Sequence, residues 1–119
     1  MNLDEVTQLI TVEHNSYPLS SSIGNYDIHL YKIGYICYFN LFLDKNITDG
    51  TILSESVSLK YQPKNIVGWK KSLYIHINNN TKHFLEFDYG TGKGKITYKN
   101  PEANSCWGEF ERFWFVNSL

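Results

Sequence analysis

Residues Tyr35–Leu43 read YICYFNLFL, and this stretch decides the fold. Its odd-numbered positions carry only apolar side chains: Tyr35, Cys37, Phe39, Leu41 and Leu43. Alternation with a period of two is typical of a β-strand that turns one face towards the core. The even-numbered positions are mixed but more apolar than a solvent-facing strand requires. We therefore expect a second sheet or a neighbouring subunit to cover that face.

Short segments of the same kind lie on both sides of this strand. They are separated by stretches rich in Gly, Asn, Asp or Pro and cover residues 28–31, 51–59, 72–78, 82–89, 95–98 and 105–116. Residues 15–25 have the composition of a polar turn, and residues 4–13 suit either a short helix or an extended arm. About seven to nine short strands with turns between them predict an all-β fold, an antiparallel β-sandwich or barrel-like sandwich. We expect residues 1–15 to form an N-terminal arm or short helix and residues 16–119 to form one β-sandwich domain.

Composition and charge agree with this fold and limit the function. Of the 119 residues, 16% are aromatic, and aromatic side chains suit pleated, half-buried surfaces. The net charge is −1 and no long run has one sign, which argues against nucleic-acid binding. The N-terminus lacks the apolar stretch of a secretion signal, and no segment approaches the ~20 apolar residues of a membrane span. We expect Cys37 and Cys106 to be buried free thiols rather than a disulfide.

The stretch at residues 88–98, DYGTGKGKITY, has the glycines and lysines of a phosphate-binding loop. Neither Gly-Lys pair is followed by Ser or Thr, and the residues after Lys95 alternate as a strand does, so no helix begins here. We interpret the stretch as a glycine-rich hairpin turn with positive φ at the glycines. It would join a strand that ends at Tyr89 to one that starts near Lys95.

No set of residues has the spacing of a catalytic or metal site. The four histidines are scattered over His14, His29, His76 and His83. His76 and His83 flank a predicted hairpin and could meet across it, but the pattern favours exposed cross-strand polar residues over metal ligands. Glu86 and Asp88 alternate along one strand, which we interpret as a solvated face rather than an acid pair. The sequence therefore predicts no enzyme, no catalytic residue, no metal and no cofactor.

Aromatic side chains are the best candidates for a ligand-binding surface, because their rings give large, rigid contact areas. Trp69 follows a glycine and precedes two lysines, so we expect it to be partly exposed. Together with Tyr74 and His76 it forms our predicted ligand-binding set. Trp114 stands between two phenylalanines and is expected in the core or a subunit interface, whereas the sequence leaves Trp107 undecided.

The order of these segments resembles the receptor-binding head domains of bacteriophage tail fibre and baseplate proteins. The residues that carry the resemblance over residues 16–116 are Tyr31, Ile33 and Gly34; Gly50, Thr51, Ile52 and Leu53; Tyr61 and Pro63; and Gly90, Gly92 and Gly94. The chain departs from the usual pattern at Ser58–Lys60, where such heads carry a leucine-proline pair.

The resemblance implies a jelly-roll-like β-sandwich that assembles as a homotrimer in the virion tail and is made in the host cytoplasm. Such a module binds a host cell-surface saccharide or protein without chemistry, contacts other tail proteins, and neither binds nucleic acid nor inserts into a membrane. The alternative is a structural virion component, for head decoration or tail assembly, that uses the same sandwich to dock to proteins.

Overall fold

The computed structural model describes residues 2–64, 70–77, 80–90, 94–101 and 106–117, with the backbone alone described at 7–10, 70–77, 80–82 and 106. Within these ranges one helix, α1 (Leu3–Ile10), precedes eight strands. The strands are β1 (Val12–Pro18), β2 (Asp27–Ile33), β3 (Ile36–Ile47), β4 (Ile52–Val57), β5 (Lys70–Ile77), β6 (Asn80–Asp88), β7 (Gly94–Lys99) and β8 (Cys106–Phe115). A 3-10 turn, Leu59–Tyr61, follows β4.

The strands form two antiparallel four-stranded sheets, ordered β1-β2-β3-β8 and β4-β7-β6-β5. β1 contacts β4 along one side and β8 contacts β5 along the other, so the sheets lie face to face. The predicted all-β antiparallel sandwich is thereby confirmed. In the second sheet β4 lies beside β7 rather than β5, which is the order of a Greek key. The first sheet is a meander of β1, β2 and β3 that is extended by β8.

The core lies between the sheets and takes its side chains from both. Within YICYFNLFL, the residues Cys37, Phe39, Leu41 and Leu43 are fully buried, as the alternation predicts. The exception is Tyr35, which belongs to the turn between β2 and β3 and is 47% exposed. Cys37 is a free thiol.

Trp114 connects the two sheets, which confirms its predicted place in the core. Its ring packs 6.0 Å from that of Phe39 and 4.9 Å from that of Phe87 on the opposite sheet. Its Nε1 donates a 2.9 Å hydrogen bond to the backbone carbonyl of Tyr61. The 3-10 turn is thereby attached to the end of β8.

The N-terminal region differs from the sequence interpretation. The composition of residues 15–25 predicts a turn, but β1 extends to Pro18 and pairs with the whole of β2, from Val12 opposite Ile33 to Pro18 opposite Asp27. Because β1 is an edge strand with polar residues at many positions, the apolar alternation that reveals a strand is weak there. Before it, α1 forms as a short helix in which Asn2 Oδ1 accepts a 2.9 Å hydrogen bond from the Glu5 backbone amide.

The glycine stretch also behaves differently from the prediction at its last glycine. Gly94 is the first residue of β7, opposite Val57 of β4, and it does not take positive φ. A Cβ at this position would lie 2.6 Å from Cε1 of the buried Tyr89 ring. Gly94 is therefore required for close packing rather than for a turn. Residues 91–93 lie outside the described residues.

Candidate functional site

The outward side of the first sheet carries a continuous surface, which we call the aromatic face. The strand register aligns its side chains in rows that cross β1, β2, β3 and β8. The row nearest the β2–β3 turn is entirely apolar and consists of Val12, Ile33, Ile36 and Phe115, which are 54%, 44%, 46% and 64% exposed. Four adjacent apolar side chains with this exposure are unusual, because exposed apolar residues are normally scattered.

The second row is a ladder of rings, from His14 through Tyr31 and Tyr38 to Phe113. The His14 and Tyr31 rings stack with centroids 4.4 Å apart and planes 8° apart. Tyr38 lies 6.1 Å from Tyr31 and 4.7 Å from Phe113. Each inner ring therefore has a neighbouring ring on both sides, while Phe113 on β8 is 64% exposed.

The remaining rows mix polar and acidic side chains with Pro18 and with Phe42, whose ring is 37% exposed. Tyr38 donates a 2.6 Å hydrogen bond to Glu111 Oε2, and Asn40 Nδ2 donates one of 3.0 Å to Glu109 Oε1. The bond to Glu111 raises the pKa of the Tyr38 hydroxyl, because only the protonated hydroxyl can donate this hydrogen bond to the carboxylate. Asp27 also faces outward, and the outward positions of residues 12–18, 27–33, 36–42 and 107–115 include no Lys or Arg. The aromatic face is therefore apolar at the end nearest the β2–β3 turn, and the charged side chains at its other end, Asp27, Glu109 and Glu111, are all acidic.

Two histidines meet on this face. His14 of β1 and His29 of β2 are diagonal neighbours across the strand pair, because Ser16 is directly opposite His29. His14 Nε2 and His29 Nδ1 lie 2.9 Å apart and share a hydrogen bond. Stacking on Tyr31 holds the His14 ring in place.

Two of the three residues that the sequence indicates as a ligand-binding surface, Tyr74 and His76, are not on the aromatic face. Tyr74 and His76 lie on β5 in the other sheet, where only the backbone is described, and Tyr74 is opposite Phe84. Trp69 lies outside the described residues. Whether these three side chains form one surface stays a prediction.

The interpretation of His83 as an exposed cross-strand residue is wrong. His83 is 2% exposed, its direct partner on β5 is Ile75, and its Nδ1 is hydrogen-bonded to the buried Tyr98 hydroxyl. A buried hydroxyl partner satisfies the imidazole, which the sequence alone does not reveal.

Sequence reasoning missed the aromatic face as a site, although two signals for it were present. The even-numbered positions of YICYFNLFL are unusually apolar for exposed positions, and Phe113 and Phe115 flank the buried Trp114 in the last strand. What the sequence does not show is that these positions share one side of one sheet. Trp107, the undecided tryptophan, is 53% exposed.

A groove lies at the edge of the sandwich where β1 of one sheet approaches β4 of the other. This groove of about 400 Å³ runs between residues 17–23 and β4, and its lining includes Tyr17, Ile23, Ile52 and Glu55. Of the described side chains that line the groove, two can ionise: the Glu55 carboxyl and the Tyr17 phenol. The groove thus offers a shape without a cluster of chemically active groups.

Burial raises the pKa of the Cys37 thiol to about 12, which makes it a poor nucleophile. In the described parts of the chain, no three His, Cys, Asp or Glu side chains come together as a metal site. The helix in those parts is too short to cross a membrane.

Comparisons with protein-family models, curated proteins and solved structures find no match.

Proposed function

We propose that this chain is a non-enzymatic binding module that docks through the aromatic face. The observation that carries the proposal is the exposed row of Val12, Ile33, Ile36 and Phe115 beside a ladder of rings. The resemblance to tail fibre and baseplate heads extends the proposal. The chain then acts in a phage tail as a receptor-binding or adhesion module for a host surface saccharide or protein.

The dimensions of the aromatic face indicate how strongly it would bind. Four strands about 4.8 Å apart and four rows about 6.6 Å apart give a projected area of roughly 500 Å². A standard stable interface buries about 800 Å² on each partner. One copy of this face therefore supports modest affinity, and several copies held together would bind through avidity. A homotrimer, as the tail-head resemblance implies, is part of the proposal.

Ring geometry favours a protein over a saccharide as the bound surface. A sugar ring packs on the flat side of an aromatic ring, but the flat sides of Tyr31 and Tyr38 are turned towards neighbouring rings. These rings present their edges outward, beside aliphatic side chains such as Ile36. Such a surface complements apolar side chains of a protein, with the outer side of Phe113 as the best remaining position for a sugar.

The second candidate is a structural virion component that docks to another virion protein through the same face. The same flat, apolar surface supports it, since assembly contacts and receptor contacts obey the same physics. Antibody-gold labelling of purified particles distinguishes the two. A receptor-binding module is expected at the distal tip of the tail, whereas label along the tail or on the head would support the structural role.

Binding of the fluorescently labelled chain to a panel of bacterial cells and to a glycan array tests the adhesion proposal. Two matched variants identify the surface: Ile36→Lys on the aromatic face and Ile52→Lys in the groove, at positions 46% and 40% exposed. We expect binding of the unmodified chain to be lost in Ile36→Lys and retained in Ile52→Lys. A correctly folded multimer that binds neither cells nor glycans would contradict the adhesion function. Loss of binding in Ile52→Lys but not in Ile36→Lys would show that the groove, rather than the aromatic face, is the binding surface.

A further inference from the structure

The pair His14 and His29 carries an inference that is independent of the proposed docking function. The two side chains come from different strands and are 15 positions apart in sequence, yet His14 Nε2 lies 2.9 Å from His29 Nδ1. Imidazole nitrogens are preferred ligands of Cu²⁺, Ni²⁺ and Zn²⁺. We propose that these two nitrogens form a chelating site for a divalent transition-metal ion.

The nitrogen separation distinguishes between metal geometries. With a metal–nitrogen distance of roughly 2.05 Å, two ligands at 90° lie about 2.9 Å apart, and two ligands at a tetrahedral angle lie about 3.3 Å apart. The separation in this chain, 2.9 Å, matches neighbouring positions of a tetragonal or octahedral ion. It thus suits Cu²⁺ or Ni²⁺ and requires an opening of about 0.4 Å for Zn²⁺.

The surroundings of the pair favour a bound cation. His14 is stacked on Tyr31, so its side chain already has restricted motion and loses less conformational entropy when an ion binds. Asp27, two residues before His29 on the same side of β2, contributes negative charge, and no Lys or Arg occupies the described outward positions of β1 and β2. Because His14 is exposed and His29 is half-buried, an ion can reach both nitrogens from solvent.

Binding replaces the hydrogen bond between the rings. The donor nitrogen gives up its proton to solvent and the other nitrogen of the same ring takes one up, so both rings bind as neutral imidazoles. Each ring also turns by about 45°, so that its lone pair points at the ion rather than at the other ring. The chain then supplies two ligands, and water supplies the others, since no third His, Cys, Asp or Glu of the described residues joins the pair. With two protein ligands, we expect binding to be reversible and weaker than at a three- or four-ligand structural site.

Calorimetric titration of the untagged chain with Ni²⁺, Cu²⁺, Zn²⁺ and Mg²⁺, together with thermal unfolding, tests the site. We expect one saturable ion per chain, tightest for Cu²⁺, weaker for Ni²⁺ and Zn²⁺, and absent for Mg²⁺, with a higher Tm in the bound form. His14→Asn and His29→Asn should each abolish saturable binding, while Glu55→Gln, which removes an exposed carboxylate from β4 in the other sheet, should leave it intact.

Several results would overturn the site. Binding that survives in both single variants, or that disappears in Glu55→Gln, would place the ion elsewhere. Absence of saturable binding by any of the three transition metals would also contradict it. Circular dichroism of each variant shows whether a loss of binding reflects unfolding; if one variant unfolds, the other still tests the site. A negative result here leaves the docking proposal intact, because cell binding is measured without added metal.

Discussion

Replacing Gly94 by alanine should destabilise the sandwich through a collision inside the core. The added Cβ would lie 2.6 Å from Tyr89 Cε1, 2.7 Å from Tyr89 Cζ and 2.7 Å from the Val57 backbone oxygen. Carbon atoms in good contact are about 3.5–4.0 Å apart, so the ring would be about 1 Å too close. Neither neighbour can easily move, because Tyr89 is 1% exposed and Val57 is paired with Gly94 in the sheet.

The net effect follows from two opposing contributions. Overpacking of a core costs about 1–3 kcal/mol, and two rigid neighbours place this case in the upper half of that range. Removing a glycine from a strand returns about 0.5–1 kcal/mol of backbone entropy. We expect Gly94→Ala to lower the free energy of unfolding by about 2 kcal/mol. In urea denaturation, the midpoint should fall by about 1 M with an unchanged slope.

A double-mutant cycle provides the control for this prediction. Tyr89→Leu removes the two ring atoms closest to the new Cβ, so Gly94→Ala should cost about 1 kcal/mol less in that background than in the unmodified chain. Equal cost in both backgrounds would show that Tyr89 is not the obstacle. A Gly94→Ala variant as stable as the unmodified chain would refute the packing argument altogether.

Three further predictions concern stability. Tyr89 Oη is buried with no hydrogen-bond partner among the described residues, so Tyr89→Phe should leave the urea midpoint unchanged or raise it; a loss above about 1 kcal/mol would reveal a missing partner. Trp114→Phe removes the bond to the Tyr61 carbonyl and should cost about 1–3 kcal/mol in the same assay, and a neutral result would contradict that bond. Burial raises the Cys37 pKa from 9.0 to about 12, so between these values the folded chain keeps a proton that the unfolded chain has lost. Stability should therefore fall as pH rises, by about 1.4 kcal/mol per unit for this thiol, and the fall should be shallower in Cys37→Ala; identical slopes would show that the thiol does not contribute.

The sequence predicts the fold well because local alternation reports burial directly. In YICYFNLFL, the buried residues Phe39 and Leu41 alternate with the outward Tyr38 and Asn40, so both the strand and its inner face follow from period two. The pattern fails for β1, where outward residues such as His14 are polar and the strand depends on pairing with β2 rather than on its own composition.

The candidate site could be predicted only in part, because it depends on register. The excess of apolar side chains on the outer positions of β3 is visible in the sequence, and it indicates a surface of unusual character. Phe113 lies beside Tyr38 and His29 lies beside His14 because strands pair across the chain, although the two residues of each pair are separated by 75 and 15 positions respectively. Contacts of that kind are set by the whole fold, as is the burial of His83 against Tyr98.

The central claim is that the aromatic face is the docking surface. Hydroxyl-radical footprinting tests it most directly, by comparing oxidation of the free chain with that of the chain bound to the cells or particles that capture it. The account predicts that Phe113 and Phe115, both 64% exposed in the free chain, become protected while Ile52 of the groove is oxidised as before. Protection of Ile52 with unchanged oxidation of the two phenylalanines would contradict the account.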